Sequence, residues 1–307
     1  MSIFIYFFIK NEFGADLSAM KKMLYALVIS AGAIALFGAA EMISHTNPIY
    51  EKYVSNFYYW RFIGNRMMST LIHPNILGCF LAINIPLAYY FYRSSKAKAL
   101  HLIVMGLIIL GLFLTFSRGS WLAFLCGLSV WLWVKRRRKL ILWCWVSFLG
   151  FSLFADLYLG QYDVGYRIGI KGLWSYLKYG HRTQQYFVAA SMFKEHPLVG
   201  IGLNLYRPLF TQFSFLNLNY EVMIPDSIYL MHLAETGLVG FLGLLLLILN
   251  ALRKSWRALA EKTQEKELRL AVTISFIIML FNFASFDGFL WQTPLYLFWI
   301  FLALVSI

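Results

Sequence analysis

The chain alternates long apolar runs with short polar loops, and this alternation restricts it to folds that are stable in a lipid bilayer. Of its 307 residues, 60% are hydrophobic and only 13% are charged, whereas a soluble domain carries about 25% charged residues. Lipid must therefore solvate much of the apolar surface. The pattern predicts an all-α, polytopic transmembrane helical bundle of about eight spans. The apolar runs fall at about 23–42, 76–92, 99–116, 120–134, 140–155, 229–252, 270–286 and 294–307.

Basic residues are concentrated in alternate loops between these runs. Seventeen of the 27 lysines and arginines fall in loops that would lie on one side of the membrane, including the run Lys135–Lys139. Because positive charge is retained on the cytoplasmic side, these loops are predicted to face the cytoplasm. The net charge of +13 is then explained by membrane topology and by contact with anionic membrane lipids. No nucleic-acid partner is predicted.

The whole chain, residues 1–307, is predicted to form a single membrane domain. This domain has two longer external segments, 43–75 and 156–226. The second is rich in Tyr, Phe, Leu and Trp, which predicts short helices lying against the membrane surface. Residues 1–9 are apolar but too short to span, so they predict a partial N-terminal span or a surface segment.

Few ionisable residues fall inside the runs, so the chemistry is expected at the outer surface, in three stretches. Arg118, between two apolar runs, is either an interfacial arginine that extends to water or an anion-binding group at a cavity rim. Arg182 is either a solvated loop charge or part of the same site. Asp226 is either the N-cap of the next helix or a carboxylate facing the site. The stretches are 114–121, 180–203 and 225–240.

Four sequence motifs resemble the O-antigen ligase and O-antigen polymerase superfamily. Three of them lie in the stretches named above and one lies earlier in the chain, and all four occur in the order found in that family. No metal-ligand cluster accompanies them in the sequence. The motifs are RMMSTLIHPN at 66–75, SRGSW at 117–121, HPLVGIGL at 196–203 and YLMHLAETGLVG at 229–240.

The resemblance implies a metal-independent, inverting glycosyltransferase that needs no cofactor. Its donor would be a glycan on a polyprenyl (undecaprenyl-type) diphosphate and its acceptor a glycan or a lipid. The reaction would occur at the outer face of a bacterial cytoplasmic membrane. In such an enzyme Arg118 and Arg182 would hold the donor diphosphate, because guanidinium groups bind phosphates bidentately. His181 and Tyr229 are further predicted substrate-binding residues.

Asp226 departs from the family pattern. Relatives carry His-Asn before the YLxxLAE stretch, whereas this chain carries Asp226-Ser227. Three interpretations stay open: a carboxylate replaces the histidine as general base, the acceptor differs, or the activity is lost. Two other functions also stay open, namely a transporter of a small anion such as bicarbonate and a non-catalytic component of an envelope-polysaccharide assembly complex.

Overall fold

The computed structural model describes residues 2–14, 16–49, 66–158, 181–214, 224–260 and 265–307. Within these ranges the chain is helical and contains no strand, which confirms the predicted all-α class. The α-helices are α1 (Ser2–Phe13), α2 (Leu17–Ser44), α3 (Pro74–Ser94), α4 (Lys98–Leu114), α5 (Arg118–Val134), α6 (Arg138–Tyr158), α7 (His181–Glu195), α8 (Tyr206–Phe213), α9 (Ile228–Ala260), α10 (Lys266–Asn282) and α11 (Gln292–Val305).

Each predicted apolar run coincides with one of these helices, but the helices differ in length. Helices α2, α3 and α9 are long and apolar enough to cross a membrane. Helices α4, α5 and α11 are apolar but have only 17, 17 and 14 residues, fewer than the roughly 20 that span a bilayer unaided. The prediction of about eight spans therefore stays a prediction.

The N-terminal and external segments are described in part. Residues 2–13 form the 12-residue helix α1. Helices α7 and α8 are short helices within 156–226, whereas residues 50–65, 159–180 and 215–223 lie outside the described part of the chain. The single-domain assignment and the external position of both segments stay predictions.

The residues form two compact units, and the first comprises Met1–Arg138, Ala251–Asn282 and Gln292–Ile307. Helix α3 is its central helix and packs against α2, α4, α5 and α10. It is buried without interruption from Ile76 to Ala88, as expected for a helix that is apolar on all faces. Gly127 allows α5 to approach α10 closely, because a Cβ there would lie 2.2 Å from Ile278 Cγ1.

The second unit comprises Lys139–Asn250 and Phe283–Trp291. Its core joins α7, α8 and the first turns of α9. Large side chains such as Tyr206 and Phe210 are fully buried there, beside the small Ala189 and Ala234. This core fixes α7, and thus Arg182 on its first turn, relative to the segment that contains Asp226.

Two of the family-like motifs interlock in this unit. Gly237 has φ 62° and ψ −164°, which interrupts α9, and the interruption makes backbone groups on both sides available to the 197–202 loop. The amides of Ile201 and Gly202 donate to the carbonyls of Ala234 and Glu235 at 3.0 and 2.9 Å. In return, the amides of Leu238 and Val239 donate to Pro197 and Leu198 at 2.8 and 3.1 Å.

The interlock depends on two glycines. Gly200 and Gly237 both have positive φ, and a Cβ on either would lie within 2.4 Å of opposing backbone atoms. A larger residue would therefore be strained by its own φ and would also displace the facing chain. The glycines of HPLVGIGL and AETG are thus explained by packing.

Candidate active site

In the first unit, the RMMSTLIHPN and SRGSW segments meet through polar side chains. Arg66 donates from Nε to the Thr115 carbonyl at 2.9 Å and from Nη2 to Asn75 Oδ1 at 3.0 Å. Ser117 Oγ donates to the same Asn75 oxygen at 3.0 Å. Two segments about 40 residues apart in the sequence are thereby joined directly beside Arg118.

The start of α3 is shaped for this junction. His73 is the N-cap of α3, and its Nδ1 accepts a hydrogen bond from the Asn75 amide at 3.2 Å. Gly78 lies so close to α5 that a Cβ would be 2.5 Å from Ser120 Oγ. His73 therefore has a structural role as the cap of α3, and the short side chain of Ser120 in SRGSW is explained by its close packing against Gly78.

Arg118 is the half-buried first residue of α5. The N-terminus of a helix carries partial positive charge and unpaired amides, which disfavour a cation but favour an anion. The guanidinium of Arg118 and the helix N-terminus therefore both favour the binding of an anion. Arg66 adds a second guanidinium in the same unit.

In the second unit, Arg182 and Asp226 form an ion pair. Arg182 Nε donates to Asp226 Oδ2 at 2.6 Å, and the side chains keep 20% and 27% of their surface accessible. Tyr186, one turn further along α7, donates from its hydroxyl to the Asp226 carbonyl at 3.5 Å. Arg182 is therefore a positioned side chain, and its interpretation as a solvated loop charge is wrong.

The interpretation of Asp226 as the N-cap of α9 is also wrong. Helix α9 begins at Ile228, so the residue before it is Ser227, whose Oγ accepts from the Leu230 amide at 3.4 Å. Because the buried Ser227 caps the helix, the carboxylate of Asp226 is available to Arg182. The boundary differs from the expected one by a single residue.

A third charged residue, Asp287, completes this cluster and was missed in the sequence. It lies in the Phe283–Trp291 loop, which is joined to the segment after Asp226 by a hydrogen bond from the Ile228 amide to the Phe283 carbonyl at 3.0 Å. The Trp291 indole Nε1 donates to Asp287 Oδ2 at 3.3 Å. The sequence signal was a lone acid in FDGFLW, between the last two apolar runs.

The environment of Asp287 alters its ionisation. Burial and the nearby negative charge of Asp226 raise the pKa of Asp287 to about 7, while the Trp291 hydrogen bond and the charge of Arg182 act in the opposite direction. A carboxyl group with such a pKa exchanges a proton readily at neutral pH. The second unit therefore combines a positioned guanidinium with a carboxyl group that can exchange a proton at neutral pH.

The remaining predicted site residues both fall in the second unit. His181 is the first residue of α7, and Tyr229 is half-buried on the first turn of α9, three residues after Asp226. The structure thus brings Arg182 and Asp226 together within one unit, whereas Arg118 belongs to the other. That the two arginines bind one diphosphate stays a prediction.

Comparison with known proteins gives one informative match. No curated protein matches the chain. The family model described as O-Antigen ligase matches residues 103–245, a range that contains Arg118, Arg182 and Asp226 and three of the four motifs. The resemblance to the O-antigen ligase and O-antigen polymerase superfamily is therefore confirmed over residues 103–245.

Proposed function

We propose that the protein transfers a glycan from an undecaprenyl-diphosphate-type carrier to a glycan or lipid acceptor at the outer face of a bacterial cytoplasmic membrane. The family match supports glycan transfer of the ligase or polymerase kind in an integral membrane protein. The observation that carries the proposal is the pair of positioned arginines, Arg118 at the start of α5 and Arg182 at the start of α7. Both belong to segments with the family-like motifs.

In the proposed reaction, Arg118 and Arg182 bind the donor diphosphate. An acceptor hydroxyl oxygen attacks the anomeric carbon on the face opposite the diphosphate, and the sugar–oxygen bond breaks with inversion. The electron pair of that bond goes to the leaving phosphate oxygen. Guanidinium groups aimed at this oxygen stabilise the charge that develops, without a metal ion.

The hydroxyl proton must go to a base during the attack. Asp226, the predicted base, is engaged by Arg182, so we assign it first to holding that guanidinium in place. Asp287 is the better proton acceptor, because its pKa of about 7 makes it partly ionised and yet basic at neutral pH. The proton then passes from Asp287 to water.

The proposal is tested in a strain from which the gene is deleted. We expect the strain to accumulate glycan linked to undecaprenyl diphosphate, measured by mass spectrometry of extracted lipids. The wild-type gene should restore the normal lipid pattern, whereas Arg118→Gln and Arg182→Gln should not. Arg253→Gln, which removes an exposed charge on α9, is the control. Absence of accumulation, or complete rescue by both site variants, would overturn the proposal.

A further inference from the structure

A large groove in the first unit lies apart from the motifs discussed above. It has a volume of about 1010 Å³ and is bounded by α3, α4, α5 and α10. This is at the upper end of the roughly 300–1,000 Å³ typical of ligand sites. Its deeper part is apolar, and the side chains there are Met105, Ile109, Phe124, Leu128, Ile274 and Ile278.

One end of the groove is charged. It is lined by Arg93, Lys135, Arg137, Glu265 and Glu267, which lie on or beside loops that the distribution of positive charge predicts to be cytoplasmic.

The two acids at this end are each neutralised by a lysine. Glu267 forms an ion pair with Lys135, and Glu265 forms one with Lys21 at 2.8 Å. Arg93 and Arg137 have no ion pair with any acid in the described ranges and are exposed. The end of the groove therefore presents two guanidinium groups to an anion.

Aromatic side chains separate the charged end from the apolar depth. Tyr89 and Trp131 stack edge to face with ring centroids 5.2 Å apart, and Tyr90 lies beside them in the groove lining. Tyrosine and tryptophan prefer the level of the lipid headgroups, where their rings are half in hydrocarbon and half in water. The order of apolar, aromatic and cationic side chains along the groove matches the order of groups along a phospholipid.

From this arrangement we infer that the groove binds one anionic phospholipid of the cytoplasmic leaflet. Its acyl chains would lie between α4 and α5, and its phosphate would contact Arg93 and Arg137. The inference is independent of the proposed glycan transfer, because none of the lining residues belongs to the candidate active site.

Native mass spectrometry of the purified full-length protein tests the inference. The protein is equilibrated with equal amounts of phosphatidylglycerol and phosphatidylcholine, and the retained lipids are counted. The variant Arg93→Gln/Arg137→Gln removes both cations from the groove. The control Lys96→Gln/Arg138→Gln removes the same charge from the same two loops at exposed positions outside the lining.

We expect the wild type and the control to prefer phosphatidylglycerol. The groove variant should lose about 25-fold in preference, because each of the two cations near an anionic headgroup contributes roughly a factor of five. Ile109→Trp, which fills the apolar depth, should remove one retained lipid of either kind. Equal retention of the two lipids by the wild type, an equal loss of preference in the control, or an unchanged lipid count in Ile109→Trp would each overturn the inference.

Discussion

Arg118 is the first residue of α5, next to segments that Arg66 joins, whereas Arg182 lies on the first turn of α7 and is paired with a carboxylate. In the segments next to Arg118, Arg66 and Ser117 both donate to Asn75, and the N-terminus of α5 adds partial positive charge. Around Arg182 the neighbours Asp226 and Asp287 add negative charge. The segments next to Arg118 therefore contribute positive charge, whereas the cluster around Arg182 contains two acids.

Because of this difference, substitutions of the two arginines should differ in their effects on donor binding and on the stability of the protein. Removal of the Arg118 charge weakens the positive potential at the N-terminus of α5. Removal of the Arg182 charge leaves two nearby carboxyl groups without their cation, which is costly in a half-buried position. Under the proposed function, Arg118 would act on the donor only, whereas Arg182 would act on the donor and on the balance of charge around Asp226 and Asp287.

The largest expected effect is that of Arg118→Gln on transfer. The rate of glycan transfer in reconstituted vesicles should fall by about 10³, the upper range for loss of one positioned donor to a developing oxyanion. The melting temperature of Arg118→Gln is measured beside the rate, so that loss of transfer is assigned to donor binding only in a folded variant. A variant that is inactive because it is unfolded would show a lowered melting temperature, which would contradict the assigned role.

Arg182→Gln should reduce transfer by about 10² to 10³ for the same reason, and it should also destabilise the protein. The second variant Arg182→Gln/Asp226→Asn removes both partners of the ion pair. It should regain much of the lost melting temperature without regaining transfer, because neutral partners no longer repel Asp287. Equal melting temperatures for Arg182→Gln and the wild type would show that the two arginines do not differ as described.

Asp287→Asn should lower transfer by about 10², within the range for loss of a general base. With Asp287 present, the rate should rise as the pH increases through about 7, because the ionised carboxylate accepts the proton. Below that pH the rate should fall about tenfold per unit. The rate of Asp287→Asn should show no such rise. Retention of the wild-type pH profile in the variant would assign the proton to another group, with Asp226→Asn as the next variant to measure.

Arg66→Gln should have the smallest effect, about tenfold on transfer. Arg66 donates to the Thr115 carbonyl and to the Asn75 side-chain oxygen, so we expect it to position the start of α5 and not to contact substrate. The loss should appear mainly as weaker donor binding, with a higher KM and a nearly unchanged kcat. A large drop in kcat would instead place Arg66 on the diphosphate.

The sequence predicted the helices well because apolar runs in lipid have few alternatives. With no water to satisfy the backbone, a buried apolar segment must satisfy its own hydrogen bonds as a helix. The number of membrane spans was harder to predict than the helices themselves. Helices α4, α5 and α11 are shorter than the length that spans a bilayer unaided, and where such helices end depends on contacts with neighbouring segments. The kink at Gly237 was also missed, since it depends on a loop more than 30 residues away.

For the candidate site, the sequence predicted only residues that lie in local sequence motifs. Arg118, Arg182 and Asp226 were predicted as site residues because each lies in a recognisable stretch. The hydrogen bonds of Arg66 and the proximity of Asp287 to Asp226 were missed, because they join residues tens of positions apart. One interpretation of Asp226 was the N-cap of α9, which placed the start of that helix one residue too early. The ends of a helix are not defined more closely than one or two residues.

The most direct test of the account compares binding of undecaprenyl diphosphate and undecaprenyl monophosphate to the purified protein. Two guanidinium groups that hold one diphosphate predict a preference of the wild type for the diphosphate. Arg118→Gln and Arg182→Gln should each abolish this preference, and the double variant should lose no more of it than either single variant. An unchanged preference in either single variant would contradict the account, because the two arginines would then not share one diphosphate.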